Sequence, residues 1–133
     1  MHRILLIFSH ELTPEQIEDA RTTFNINEFV PLPSDLQKLW QNIPPSEPSI
    51  TSYMEHFRRF VKDNADKGDY ALIQGDFGAV YLMVNFAFSL GLIPVYATTE
   101  REIVEKRMSD NTVRSERVFK HRIFRRYEKE EMG

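Results

Sequence analysis

The sequence predicts an α/β fold of three layers, built on a mostly parallel sheet that ends in an antiparallel C-terminal hairpin. Three observations predict it. Residues 3–8 (RILLIF) form an unbroken apolar run, as expected for a strand covered on both faces. Residues 69–99 read strand, tight loop, helix, strand: YALI, then GDFG, then an almost wholly apolar stretch from Ala79 to Leu90, then IPVY. A βαβ unit of this kind places its two strands parallel. After Thr99 the pattern changes to two extended segments, 101–108 and 117–127, with Ser109, Asp110 and Asn111 as the turn between them.

The remaining elements follow in order. Thr13, Pro14 and Gln16 form a helix start, with a capping threonine, proline at the first helical position and a glutamine three residues after the cap. Ile17, Ala20, Arg21 and Phe24 carry that helix to about Asn25. Residues 28–32 are a weaker strand, and Pro31 places it at an edge. Residues 34–40 predict a short helix capped by Ser34, and 42–48 a proline-rich loop. Residues 51–64 predict an amphipathic helix, because Tyr53, Met54, Phe57, Phe60 and Val61 recur at helical spacing. Gly91 stands where a helix-terminating glycine belongs. Counting 93–96 separately from 101–108 gives three final strands. In the last of them, strict alternation puts Phe119, His121, Ile123, Arg125 and Tyr127 on one face, and Lys120, Arg122, Phe124 and Arg126 on the other.

The 133 residues suit a single domain, 1–133, with 41% hydrophobic and 28% charged residues as in ordinary globular chains. No signal peptide is expected, since the chain enters a strand at once. The longest apolar stretch, 79–92, is interrupted by Asn85, Ser89 and Gly91, so no membrane partner is expected. Cysteine is absent, which excludes disulfides and thiolate metal sites and makes the cytoplasm the expected location. The net charge of −3 conceals a polarity. Residues 101–127 hold nine basic and four acidic side chains, a local excess of +5 on a body of −8. That balance suits a compact polyanion bound locally rather than long nucleic acid gripped along a face; its alternative is a solvated hairpin.

In open α/β sheets, ligands bind outside the carboxyl ends of the strands. Here those ends are Ser9-His10, Gln74-Gly75-Asp76 and Tyr96-Ala97-Thr98-Thr99. The helix beginning near Ala79 turns its free N–H groups toward the same crevice, an arrangement that favours an anion. Asp76 and the two glycines have a second reading, as an N-cap and a tight turn. GDFG is neither a dinucleotide fingerprint nor a P-loop. Ser9 could donate to a phosphate oxygen and His10 could move a proton near neutral pH; the alternative is an exposed strand-end turn. His2, His56 and His121 share no metal-ligand spacing, so no metal and no cofactor are expected. His121 could approach a ligand or pair with a cross-strand glutamate. Phe8, Phe77 and Tyr96 border the crevice, where they either stack on a base or fill the core.

LLIFSHELTPEQ near the start, and LIQGDFGAVYLMVNFAFSLGLIPVYATT in the centre, resemble a small Csx-type CRISPR-associated family of type III systems. Its members are similar to stand-alone CARF (CRISPR-associated Rossmann fold) domains. The resemblance implies a Rossmann-like, CARF-like sandwich and a homodimer whose crevices join across a two-fold axis to bind cyclic oligoadenylate, above all cyclic tetra-adenylate. It also implies ring-nuclease activity that switches off antiviral signalling through metal-independent attack by the ribose 2′-OH, leaving a 2′,3′-cyclic phosphate. Ser9, His10 and Arg122 are then the candidate catalytic residues. The candidate ligand contacts are Gln74, Gly75, Asp76, Phe77, Gly78, Thr98, Thr99, Arg101, His121 and Arg125. No lysine stands near the Ser9 or GDFG loops, where some other ring nucleases place one. Two alternatives stand beside this reading: a non-catalytic sponge or sensor for the cyclic nucleotide, and an unrelated small nucleotide- or sugar-phosphate-binding protein.

Overall fold

The computed structural model describes residues 2–130. Its elements are β1 (His2–Ile7), α1 (Pro14–Phe24), β2 (Ile26–Pro31), α2 (Ser34–Gln41), α3 (Glu55–Asn64), β3 (Tyr70–Ile73), α4 (Phe77–Ser89), β4 (Ile93–Arg107) and β5 (Val113–Arg126). They form one five-stranded sheet of order β2-β1-β3-β4-β5. The first four strands are mutually parallel and β5 runs antiparallel to β4. The strands read as β1, β3 and β4 are therefore neighbours, and the Pro31 strand lies at the edge as its proline requires.

Alternation along the strands sorts the core into two layers. Leu5, Ile7, Ala71 and Ile73 face α2, α3 and α4, where they meet Trp40, Phe57, Val61, Met83 and Ala87. Ile4, Tyr70, Leu72 and Val95 face the other way and meet Ala20 and Phe24 of α1, with Phe124 of β5. All four residues of β3 are buried, which is why its sequence is apolar without alternation.

Several helix ends are specified locally. The Thr13 hydroxyl accepts the Gln16 amide while the Gln16 side chain accepts the Thr13 amide, the reciprocal box expected from the sequence. α1 stops at Asn25, which takes a left-handed φ of 56°. α4 ends with Gly91 at φ +73°, where the Gly91 amide donates to the Phe88 carbonyl and the Leu92 amide to that of Ala87, both at 3.0 Å. This paired termination needs a left-handed residue, and glycine takes it without a Cβ penalty.

Four details differ from the sequence reading. Ser34 is the first residue of α2 rather than its cap; Pro33 precedes it and no side chain caps the helix. The 51–64 helix begins at Glu55, with 51–54 forming turns before it. α4 begins at Phe77, so Gly78 is helical. The largest difference lies in the last third of the chain. The strand read as 93–96 does not end there but continues as β4 to Arg107, so the three expected strands are two.

A bulge accounts for a further correction. Ala97 pairs with Phe124 and Thr99 with His121, so Arg122 and Ile123 together oppose Thr98. The Thr98 hydroxyl fills the gap, donating to the Ile123 carbonyl at 3.1 Å and accepting its amide at 3.2 Å. The extra residue inverts the alternation of β5. His121 and Phe124 consequently share a face, with ring centroids 4.8 Å apart, instead of pointing oppositely.

Candidate functional site

β1 and β3 leave the sheet at the same edge, tied by the Gln74 amide donating to the Ile7 carbonyl at 3.2 Å. The chain turns outward to β2 on one side of β1 and to β3 on the other, so this junction is the switch point of the sheet. The end of α2 occupies it. Trp40 donates its indole N–H to the Gln74 carbonyl at 2.8 Å, and the Gln41 amide donates to the Ser9 carbonyl at 3.3 Å. Gly75 is required by this packing: a Cβ there would lie 2.6 Å from Trp40 Nε1. The Gln74 side chain is also engaged, its Oε1 accepting the Ala97 amide at 2.6 Å. Gln74 thus joins β1, β3, β4 and α2 at one point.

The open part of the edge lies one strand further on. A groove of about 270 Å³ is lined by Gln74, Gly75, Phe77, Val80, Tyr96, Ala97 and Tyr127. The Asp76 carboxylate caps α4 by accepting the Ala79 amide at 3.0 Å, and the Asp76 carbonyl accepts the Val80 amide. The Phe77 and Gly78 amides, the other two of the first turn, keep the unpartnered donors of a helix start. Phe77 is 95% exposed at this end of α4. Tyr96, which lines the groove, is held by Arg125, which donates to its hydroxyl at 3.0 Å and stands with its guanidinium 5.5 Å from the ring centroid. Tyr127 packs against Tyr96, with centroids 4.7 Å apart, and donates its hydroxyl to the Ile73 carbonyl at 2.6 Å. Burial, and then the neighbouring Tyr96, push the Tyr127 phenol above its ordinary value.

The other candidates are dispersed. His10 lines a separate cavity of about 390 Å³ between α1 and the β1–β2 edge, with Phe8, Ile17, Arg21 and Phe29. His121 is almost fully covered and meets Asp19 of α1 at 2.8 Å, in place of a cross-strand glutamate. Arg122 is exposed, pairs with Glu100 at 3.1 Å and borders a recess whose other walls include Glu15, Glu18 and Asp19. Thr98 is taken up by the bulge and Thr99 pairs with His121. Arg101 lies out on the hairpin, over the Phe119 ring. The structure therefore lines the groove with Gln74, Gly75 and Phe77, sets Asp76 and Gly78 at the adjoining start of α4 and Arg125 on Tyr96, and leaves Ser9, His10, Arg101, His121 and Arg122 outside the groove lining. Sequence reasoning missed Trp40 and Tyr127. Trp40 acts 34 residues away in the chain, which no local pattern reports. Tyr127 was assigned a face, but the bulge decides which residues accompany it.

Among the described residues, no helix is long and apolar enough to cross a membrane. No solved structure matches the chain. A protein of Methanocaldococcus jannaschii described as uncharacterized protein MJ1673 is 47% identical over 127 residues, covering 96% of this chain and 98% of that relative. The family model described as the uncharacterized protein MJ1673 family matches residues 2–125. On both counts the chain belongs to the MJ1673 family.

Proposed function

We propose that this protein is a ring nuclease of type III CRISPR signalling, with a CARF-like Rossmann fold, which binds a cyclic oligoadenylate, cyclic tetra-adenylate first among them, and cleaves it without metal. The observation that carries the reading is the groove at the carboxyl edge. There the unpartnered amides of Phe77 and Gly78 stand at a helix N-terminus, beside an exposed aromatic ring and the Tyr96–Arg125 pair. Amides and a guanidinium suit phosphates; Phe77 and Tyr96 offer faces on which adenines stack. Two such grooves facing each other across a two-fold axis would match a ring with the same symmetry, so the active form is a homodimer.

The chemistry asks little of the protein. The 2′-OH within the substrate attacks the adjacent phosphorus, the 5′-oxygen departs with a proton, and a 2′,3′-cyclic phosphate remains. The chain must hold the ring bent for in-line attack and stabilise charge on the phosphoryl oxygens. The two α4 amides and Arg125 fill those roles; Ser9, whose carbonyl accepts from Gln41 at the closed β1–β3 junction, is not part of the groove lining. Arg125 takes the place first given to Arg122, because it is bonded to Tyr96, which lines the groove. Chromatography of cyclic tetra-adenylate after incubation, with and without EDTA, tests this. Linear products with cyclic phosphate ends are expected in both samples. Arg125→Ala should slow cleavage roughly 100-fold, since it removes a transition-state donor beside the groove. Intact ring recovered after denaturation would show a sponge, and no binding at all would return the protein to the wider class of nucleotide and sugar-phosphate binders.

A further inference from the structure

Beyond Thr99 the β4–β5 ladder leaves the sheet. Residues 100–107 and 113–120 pair only with each other, and all but Glu116 are exposed. The strand rise makes this arm about 30 Å long. It closes through a turn at 108–112, where Asn111 takes φ +70° and the Asp110 carboxylate accepts the Thr112 amide and hydroxyl. A two-stranded ribbon is marginal by itself in water, and this one exposes large apolar side chains.

Its two faces differ. Paired residues share a face and alternate along the ladder. On one face, Glu100, Glu102 and Glu116 balance Lys106, Arg114 and Lys120 around the less exposed Val104 and Val118, and Lys106 lies 3.8 Å from Glu116. The other face carries Ile103, Val113 and Phe119, all more than half exposed, with Arg101, Arg107 and Arg117 against the single acid Glu105. That face is apolar and basic, and its side chains are exposed among the described residues.

The body holds a surface of complementary character. A groove of about 390 Å³ runs along the outer side of α4, walled by Phe77, Tyr81, Val84 and Phe88. Glu128 and Glu130 rim it, with Lys129 between them. Tyr81 is 69% exposed there. The 13 residues of α4 make the helix about 20 Å long, which the arm can span.

We propose that the arm of one copy docks its Ile103–Phe119 face into the α4 groove of a second copy, and that the exchange is reciprocal. Opposite charge and matched apolar surface select a second copy, since each chain carries one arm and one groove and the contact closes as a dimer. The groove shares Phe77, Val80 and Tyr127 with the candidate site, so the partner's arm walls that site. The inference rests on the dimer of the proposed function, but its test needs no ligand, so either can fail alone.

The test is light scattering on the full chain at micromolar concentrations. Wild type should show the mass of two chains. Ile103→Asp with Phe119→Asp should weaken dimerisation roughly thirtyfold or more, as loss of interface anchors does, and Tyr81→Asp should act in the same direction. All three sites are exposed, so melting of the dissociated chain should not change. Charge reversal gives an independent check. Arg101→Glu with Arg117→Glu should dissociate the dimer, Glu128→Lys with Glu130→Lys should dissociate it, and the four changes together should restore it. A monomeric wild type, a two-chain mass in the arm variant, or no recovery in the combined reversal would overturn the proposal.

Discussion

Phe124 and Phe119 lie five residues apart on the same strand, yet one is 7% exposed and the other 64%. The difference divides the β4–β5 ladder in two. β4 pairs with β3 from Ile93 to Val95 and is tied to Gln74 at Ala97, while Phe124 of β5 packs against Phe24 and His121. Beyond the bulge the same two strands have neither a third strand nor a helix against them, save where His121 meets α1. Backbone pairing is continuous through both halves, so pairing does not distinguish them. Side-chain burial does, and it should decide where stability resides.

The largest expected effect tests that division directly. Phe124→Ala should destabilise the fold by about 3–5 kcal/mol, because it empties a filled site in the α1 layer. Phe119→Ala should change stability by no more than about 0.5 kcal/mol, as exposed substitutions do. Urea denaturation of the two variants measures both. Equal losses would mean that the arm is part of the folding core and would break the comparison.

A smaller effect should appear where the ladder meets the candidate groove. The Tyr127 hydroxyl donates to the Ile73 carbonyl at the end of β3. Tyr127→Phe removes that bond and should cost about 1 kcal/mol. The pH dependence has a definite sign. Burial, with Tyr96 second, raises the folded-state pKa of Tyr127 above its unfolded value. The folded state therefore holds the proton more tightly. Its contribution is complete below the ordinary phenol value, about 10, and is lost as pH rises through the folded pKa. The alkaline fall in stability should be shallower in Tyr127→Phe than in wild type; identical slopes would show that the phenol is not linked to folding.

The sequence carried the signals that are local. Thr13 and Gln16 sit three residues apart and form their box; Gly91 supplies the only positive φ at the end of α4; the apolar run at 70–73 is a strand buried on both faces. What was hidden depends on single insertions or on distance. Strict alternation from Phe119 to Tyr127 is correct on either side of the bulge and wrong across it, since one unpaired residue inverts every later side chain. The bulge itself depends on Thr98, an ordinary strand residue whose hydroxyl finds both bonds across the ladder. The expected strand ends do lie at one edge of the sheet, but the inner half of that edge is closed by Trp40 and Gln41 from α2, a contact spanning more than thirty residues. The candidate site accordingly moves outward, from Ser9 and the β1–β3 junction toward Tyr96, Arg125 and the start of α4.

The smallest effect lies on the charge-balanced face of the arm. Lys106 and Glu116 form an ion pair at 3.8 Å with both side chains well exposed. At such a site water and salt screen the attraction, and ordering two long side chains offsets much of the remainder. Lys106→Ala should therefore leave the urea midpoint unchanged within error, and added salt should not alter that result. The substitution also removes one positive charge from a region of local excess, which makes it a control for the basic face opposite. If association falls as far in Lys106→Ala as in the Arg101 and Arg117 reversals, net charge alone drives it. If association holds, the effect belongs to the face that carries Ile103 and Phe119, and the two sides of one ribbon are separated by experiment as they are in the structure.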